Sequence, residues 1–346
     1  MKLAQVVIAM LALVPQDPVE WVAQPSGTKA RLRGLSVVSR DVAWASGSVG
    51  TILRTNDGGT SWVPRPVAAA DTLDFRDIEA FDGNTAVALS VGPGGQSRIY
   101  GTSDGGAHWT LRHTNPDRDG FLDALVFWDR RHGLALGDPV GGHFVVLATD
   151  DGGTTWSRVA PEGMPAALPG EGAFAASGTC LVVRGDHHAW FGTGAGRVFR
   201  SDDRGHTWTA HATPITSGNG SSGIFSLAFW DNEHGVAVGG DHREPDRAGR
   251  VAAITSDGGK TWQLPSGNGP GGYRSAVVSL PGSSGRLLIA VGPKGASLSR
   301  DGGNSWAEVG HQGFHAVATA DPDSGWAVGE DGTIARFSVS HALGLP

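Results

Sequence analysis

An eight-residue motif recurs six times along the chain and limits the fold more than any other feature of the sequence. Each copy runs from a serine or threonine through an aspartate and a glycine to a tryptophan. The copies are TNDGGTSW, TSDGGAHW, TDDGGTTW, SDDRGHTW, TSDGGKTW and SRDGGNSW, ending at Trp62, Trp109, Trp156, Trp208, Trp262 and Trp306. Successive tryptophans are 44 to 54 residues apart. A repeat of this length is typical of propellers and other repeat proteins.

The residue types of this motif, which we call the box, favour a tight hairpin. Aspartate accepts backbone N–H bonds in such a turn, glycine adopts positive φ, and the tryptophan packs over the turn. We interpret the aspartates as structural, because six equivalent catalytic sites are not expected in one chain. They are Asp57, Asp104, Asp151, Asp203, Asp257 and Asp301. The second copy differs from the rest, since His108 occupies the place of a hydroxyl residue.

The segments between boxes predict four short strands in each unit. The third unit has an apolar run from Leu122 to Trp128, a second strand over 134–136, a third over 143–149, and a fourth beginning at Trp156. The 54 glycines and 19 prolines supply the many turns that such strands require. Four strands in each unit of roughly 40 to 50 residues predict a β-propeller.

The two ends of the chain predict how the ring closes. After Trp306 the sequence provides only three strands, over 314–317, 325–329 and 332–337. The segment from Glu20 to Pro25 resembles the residues that follow a box, with Trp21 in the position of the box tryptophan. We therefore predict an all-β, seven-bladed β-propeller in which an N-terminal strand completes the last blade and leaves no long free edge.

The predicted domain organisation is a signal peptide over 1–17, one propeller over 18–340 and a C-terminal tail over 341–346. Lys2 and the apolar run from Leu3 to Val14 form the n-region and h-region of an export signal that is too short to span a bilayer. A periplasmic or secreted location is expected. An N-terminal strand or a short core segment is the alternative interpretation of this run.

Charge and cysteine content exclude several functions. A net charge of −7 provides no broad positive surface for nucleic acid. The single cysteine, Cys180, has no disulfide partner and no ligand neighbours at zinc-site spacing, so we interpret it as a small buried apolar residue. No metal or other cofactor is expected.

Tandem units such as LAFWDNEHGVAVGGD followed by TSDGGKTW resemble the photosystem II stability and assembly factor-like family of Asp-box propellers. The resemblance covers nearly the whole predicted propeller. It implies a seven-bladed scaffold that assists membrane-protein assembly and binds a protein or peptide partner, such as an assembly intermediate. A monomer is expected, with no membrane-spanning segment in the mature chain. Fold alone does not choose this function, because sialidases and other glycosidases also carry Asp-boxes.

Candidate binding residues come from the face opposite the boxes. The starts of the inner strands align as Leu32-Arg33-Gly34, Phe75-Arg76-Asp77, Leu122-Asp123-Ala124, Ile224-Phe225-Ser226, Tyr273-Arg274-Ser275 and Phe314-His315-Ala316. Blade four is harder to align, near Ala173-Phe174-Ala175. The second positions of the aligned triplets predict an arginine-rich ring at the channel mouth that can hold a carboxylate or an acidic peptide. Solvated channel residues without a binding role are the alternative interpretation. Long loops over 137–143, 159–172, 211–223 and 239–249 add polar residues. The predicted partner-binding set is Arg33, Arg76, Asp138, Glu171, Asp241, Tyr273, Arg274 and His315.

The alternative function is a glycoside hydrolase, either sialidase-like or using two carboxylates. Arg33, Arg76, Arg274, Tyr273 and Glu171 provide the residue types of a sialidase, namely an arginine cluster, a tyrosine nucleophile and a glutamate. The first arginine lies in LRGLSVV, without the Arg-Ile-Pro segment of that family. We therefore lean towards a non-catalytic scaffold and assign no catalytic residue.

Overall fold

Seven antiparallel sheets follow one another along the chain in the computed structural model, which describes residues 18–340. The first strand, β1 (Val19–Gln24), belongs to the last blade. Blade one contains β2 (Leu32–Val37), β3 (Ala43–Gly47), β4 (Ile52–Thr55) and β5 (Val63–Pro64). Blade two contains β6 (Asp74–Ala80), β7 (Ala86–Val91), β8 (Arg98–Thr102) and β9 (Thr110–Thr114). Blade three contains β10 (Leu122–Phe127), β11 (Gly133–Val140), β12 (His143–Thr149) and β13 (Ser157–Arg158).

The remaining blades repeat this order. Blade four contains β14 (Leu181–Arg184), β15 (His188–Gly192), β16 (Arg197–Ser201) and β17 (Thr209–Ala212), and blade five contains β18 (Ser222–Phe229), β19 (Gly235–Asp241) and β20 (Ala252–Thr255). Blade six contains β21 (Ala276–Ser279), β22 (Leu288–Gly292), β23 (Gly295–Ser299) and β24 (Ala307–Glu308), and blade seven contains β25 (Ala316–Ala318), β26 (Ser324–Val328) and β27 (Ile334–Val339). Short 3-10 turns lie at Gly94–Gln96, Pro161–Gly163 and Glu330–Gly332.

The N-terminal strand closes the ring as predicted. β1 pairs antiparallel with β27, from Val19 opposite Val339 to Gln24 opposite Ile334, and completes the order β1-β27-β26-β25. The Trp21 indole stacks on Phe314 with ring centroids 4.8 Å apart. The fold class is confirmed, whereas the predicted signal peptide and C-terminal tail lie outside the described residues.

Blade five departs from the four-strand pattern. Its sheet has three strands, and the fourth is reduced to a single bridge between Ile254 and Gln263. Pro265 follows two residues later and cannot donate to a ladder, and the glycine-rich chain beyond it has little strand propensity. The prediction of four strands therefore holds in six blades of seven.

Each box is a hydrogen-bonded hairpin. In the first copy, the Ser61 N–H and the Thr55 hydroxyl donate to Asp57 Oδ1 over 2.9 and 2.8 Å, and the Gly59 N–H donates to Thr55 Oγ1. Gly58 and Gly59 have φ of +70° and +83°, which glycine adopts without strain. In the second copy, His108 Nδ1 lies 2.7 Å from Asp104 Oδ2 and replaces the missing hydroxyl. The box carboxylates thus bond within their own turns.

Large apolar side chains fill the space between neighbouring blades. Trp44, Trp190 and Trp326 are fully buried, as is Cys180. One cluster joins blades six and seven through Ile289, Val291 and Phe337 and includes Val19 of the closing strand. Among residues 18–340, no helix is long and apolar enough to cross a membrane.

Candidate functional site

β-Bulges accompany three of the predicted ring residues at the channel mouth. Four inner strands carry a register shift at the same point, and the residue skipped by the ladder is Arg33, Arg76, Asp123 or Phe225. A bulge turns its extra residue away from the regular alternation of a strand and often redirects a side chain. Arg33, Arg76 and Phe225 consequently line a pocket of about 290 Å³, together with His315 of blade seven.

The floor of this pocket is a segment of the long loop before blade four, residues 174–179, which we call the floor segment. Arg33 and Arg76 each donate from Nη1 to its carbonyls, those of Ala176 and Ala175, over 3.3 Å. The Ser177 hydroxyl donates to the carbonyl of Ser275 over 3.0 Å. These bonds connect the floor segment to blades one, two and six, so it crosses the channel mouth. The predicted alignment of blade four near Ala173-Phe174-Ala175 did not anticipate this crossing.

The positive charge of Arg33 has no carboxylate partner among the described residues. Within residues 18–340, no carboxylate forms an ion pair with it, and its Nε is buried without a hydrogen-bond partner. Burial, and then the positive charges of Arg76 and Arg31, lower the pKa of Arg33 to about 10. The guanidinium stays protonated at neutral pH, and an anion in the pocket would relieve both the repulsion and the missing bond.

The other two basic residues of the pocket differ from Arg33. Arg76 donates from Nε to Asp74 Oδ2 over 2.8 Å, so part of its charge is neutralised. His315 Nε2 lies 2.8 Å from Glu330 Oε1. Burial and then the charge of Arg33 lower the pKa of His315 to about 4, which keeps its imidazole neutral at pH 7. We call Arg33, Arg76 and His315 the basic wall.

Aromatic side chains form another part of the lining. Phe174 stacks on Phe225 with ring centroids 3.8 Å apart, and Tyr273 packs edge-on against Phe225 at 4.7 Å. The imidazole of His242 lies 6.0 Å from Phe225 and is exposed. We call these four residues the aromatic wall. Tyr273 belongs to the predicted partner-binding set and Phe225 to the predicted ring, whereas Phe174 and His242 are in neither.

Arg274 lies outside the pocket, which corrects the predicted alignment of blade six. The backbone N–H of Arg274 donates to Gly239 of the preceding blade, as the N–H groups of Leu32 and Phe314 donate to Gly329 and Gly292. Arg274 therefore takes the place of Leu32 and Phe314 in this pattern, two residues before β21, and is 2 % exposed. Of the triplet Tyr273-Arg274-Ser275, Tyr273 lines the pocket, so the second position is not the one that reaches the channel mouth in blade six.

The three acidic loop residues of the predicted set do not converge on the pocket, and each is held by a local partner. Glu171 pairs with Arg197 and accepts the Thr193 hydroxyl over 2.6 Å. Asp138 Oδ1 accepts the Ala173 N–H over 2.9 Å. Asp241 accepts the Arg243 N–H and the side-chain amide of Asn219. They brace the long loops, and among the described residues no acidic or histidine cluster is arranged to hold a metal ion.

Two buried carboxyl groups lie in the inner strands near the floor segment. Asp77 accepts the N–H groups of Ile78 and of Leu125 in the next blade, which links two inner strands, and burial raises its pKa to about 7. Burial and then the charge of Asp138 raise the pKa of Asp123 well above its usual range. Asp123 was predicted in the ring, yet it is 1 % exposed and does not line the pocket.

Comparison with known proteins gives a partial match to one family and a set of similar folds. The family model described as photosynthesis system II assembly factor YCF48 matches residues 80–222, which is less than half of the chain. No curated protein matches the chain. A structure of YCF48 bound to D1 peptide has a TM-score of 0.64 and 18% identity, covering 94% of this chain and 99% of the other.

Two further structures show how widely this fold is shared. YCF48 from Cyanidioschyzon merolae has a TM-score of 0.63 and 19% identity, covering 92% of this chain and 98% of that one. The GH74 xyloglucanase from Xanthomonas campestris has a TM-score of 0.64 and 17% identity, covering 92% of this chain and 53% of the enzyme. At such identities these likenesses show the fold alone. The chain thus matches the photosystem II assembly factor family YCF48 over residues 80–222 and has the propeller fold of its solved members, which confirms the predicted resemblance.

Proposed function

We propose that the chain is a non-catalytic scaffold that binds a protein or peptide partner at the pocket over the channel mouth. The proposal rests on one observation about Arg33. Among the described residues, its buried Nε has no hydrogen-bond partner and its charge is paired with no carboxylate. A partner carboxylate is the group that satisfies both needs, through charge-assisted hydrogen bonds.

The comparisons support a peptide as the partner. A related propeller of nearly the same length, YCF48, is known in a structure bound to D1 peptide. By analogy, the partner of this chain is a segment of a membrane protein during its assembly, met outside the cytoplasm if residues 1–17 direct export. A monomeric propeller is sufficient for this role, since the pocket is built within one chain.

The hydrolase alternative receives no specific support from the pocket. The lining residues include arginines, histidines and aromatic groups, and no carboxyl group of the described chain lines this pocket. Burial raises the pKa of the Tyr273 hydroxyl well above its usual range, whereas a tyrosine nucleophile requires an activating neighbour. Glu171, the carboxylate nominated for that task, is paired with Arg197.

The proposal is tested by screening a peptide array of membrane-protein segments against the purified chain and its Arg33→Gln/Arg76→Gln variant. Loss of charge-assisted bonds should weaken the peptides that bind by about 10- to 100-fold. Arg118→Gln is the matched control, because Arg118 is an exposed arginine of the loop between blades two and three and lies outside the pocket. Absence of any binding peptide, or equal binding by the double variant, would refute the proposal.

A further inference from the structure

We propose that the pocket recognises an aromatic carboxylate, meaning a flat ring joined by a short linker to a carboxyl group. This inference rests on the proposed function and names the chemistry that the partner must present. The structural basis is that a basic wall and an aromatic wall meet in one pocket of limited volume.

The aromatic wall is preorganised for a ring. Phe174 and Phe225 are nearly parallel, with an angle of 8° between their planes, and Tyr273 meets Phe225 at 78°. Phe225 and Tyr273 are 3 % and 5 % exposed, so their positions are set by packing before any ligand arrives. Phe174 is half-buried and His242 is exposed, so each has accessible surface. A ligand ring that meets one of these rings in a stacked or edge-on geometry forms a favourable aromatic pair.

The carboxylate position is set by Arg33. Its guanidinium and the Tyr273 ring are close enough that the charge of Arg33 lowers the pKa of Tyr273, against the larger effect of burial. The Nη1 of Arg33 already donates to the carbonyl of Ala176, which leaves Nε and Nη2 without a partner among the described residues. A carboxylate on Arg33 therefore lies beside the aromatic wall, which requires a short linker between the two groups of the ligand.

The pocket volume limits the size of the group it admits. About 290 Å³ lies at the lower limit of small-molecule sites. The space suits one aromatic residue with its carboxyl group. The same chemistry is provided by a free aromatic acid or by the C-terminal residue of a peptide that ends in phenylalanine, tyrosine or tryptophan.

The experiment is isothermal titration calorimetry with three matched probes, each titrated to millimolar concentration. N-acetylphenylalanine has both groups, N-acetylphenylalaninamide lacks the carboxylate, and N-acetylalanine lacks the ring. We expect N-acetylphenylalanine to bind at least tenfold more tightly than either of the others. Equal binding of the acid and the amide, equal binding of the two acids, or no binding of N-acetylphenylalanine, would overturn the inference.

Variants test whether the basic wall causes the preference for the acid and the aromatic wall causes the preference for the ring. Arg33→Gln should remove the preference for the acid over the amide, and Phe225→Leu should remove the preference for phenylalanine over alanine. Because Phe225 is buried, Phe174→Leu at the half-buried partner of the stack provides a second test if Phe225→Leu does not fold. Arg118→Gln should keep both preferences. Retention of both preferences in folded Arg33→Gln and Phe174→Leu would contradict the assignment.

A further pair of probes separates the two sources of the ligand. A hexapeptide ending in phenylalanine with a free carboxyl group should bind more tightly than N-acetylphenylalanine if the natural ligand is a chain terminus, and equally if it is a free acid. Array peptides that bind in an Arg33-dependent manner, together with no binding of the three small probes, would refute the inference of an aromatic carboxylate and leave the proposed peptide-binding function intact. If neither class binds, both proposals fail.

Discussion

Arg274 donates from Nη2 to Glu308 Oε2 over 2.6 Å, joining the entry of blade six to its outer strand. Ser297 on the strand between them accepts from Arg274 Nε and Nη2 over 2.9 and 2.7 Å. An arginine expected to contact a partner at the channel mouth is thus an internal brace. Its guanidinium holds the outer strand of blade six, which contains only two residues.

Removing this brace should destabilise the fold without affecting the pocket. Arg274→Ala removes the guanidinium bonds to the Ser297 hydroxyl and the Glu308 carboxylate, which stay bonded to each other, and the expected cost is about 1 to 3 kcal/mol of unfolding free energy. Urea denaturation measures this cost, and peptide affinity of the folded variant should equal that of the parent. Normal stability together with lost binding would return Arg274 to the binding set.

The closing strand should depend on its tryptophan. The Trp21 Nε1–H donates to the carbonyl of Val309 over 2.8 Å, as Trp109 in the second box donates to Arg65. Trp21→Ala removes this bond and the stacking on Phe314, so we expect a loss of about 3 kcal/mol. Val22→Ala on the same strand is the control, because Val22 is 52 % exposed.

Deleting Glu20 to Pro25 should lower the melting temperature further, and an unchanged melting temperature would contradict the closure of the ring by this strand.

The box carboxylates should support stability and not binding. Asp257→Ala frees the N–H of Thr261 and two hydroxyl groups, for an expected cost of roughly 1 to 3 kcal/mol. Burial acts to raise the pKa of Asp257, yet hydrogen bonds from Thr261 and Thr255 prevail and lower it to about 2. The stabilisation is present above the unfolded pKa and is lost as pH falls from about 4 towards 2. Thermal melts across this range should show that the variant loses less stability than the parent, with the exposed Ser256→Ala as control.

His315 should make the fold sensitive to mild acid. Its pKa of about 4 in the folded chain lies below that of the unfolded chain, so the unfolded state binds a proton first as pH falls. Stability should therefore decrease between about pH 6.5 and 4, by roughly 3 kcal/mol for this single group. His315→Gln removes the titrating group, and its unfolding free energy should change less over this range than that of the parent. An unchanged pH profile would show that His315 is not held in its neutral form.

Substituting two glycines of left-handed backbone, one in the floor segment and one outside it, distinguishes the cost of conformational strain from the cost of steric overlap. Gly178 has φ of +78°, and a Cβ there would overlap the Asp77 carboxylate. Gly141 has φ of +67°, and within residues 18–340 no atom lies within 4 Å of the place that a Cβ would take. Gly141→Ala should cost about 1 kcal/mol from strain alone, whereas Gly178→Ala should cost about 1 to 3 kcal/mol more. If the two variants melt alike, the floor segment is not packed on Asp77.

Local features of the fold were predictable from sequence because their chemistry lies within a few consecutive residues. Each box bonds its aspartate to groups two and four residues away, so six copies identify six hairpins without any tertiary information. Ring closure followed from counting strands, since the three after Trp306 require a fourth that only the N-terminal segment can supply. The resemblance to the assembly factor family rests on the same local repeats.

The pocket depends on contacts that no local pattern encodes. Its basic and aromatic walls come from residues as distant in sequence as Arg33, Phe174 and Tyr273, and its floor crosses the channel from a loop that aligned poorly with the other blades. Arg33 is the bulged residue of its strand and lines the pocket, whereas Arg274 is buried and pairs with Glu308. The sequence by itself therefore determined the repeat, the closure and the residue types at the channel mouth. Only the tertiary structure decided which of those residues face the pocket. The reason is that a shift of one residue along a strand, or one bulge, moves a side chain from the channel mouth to the core.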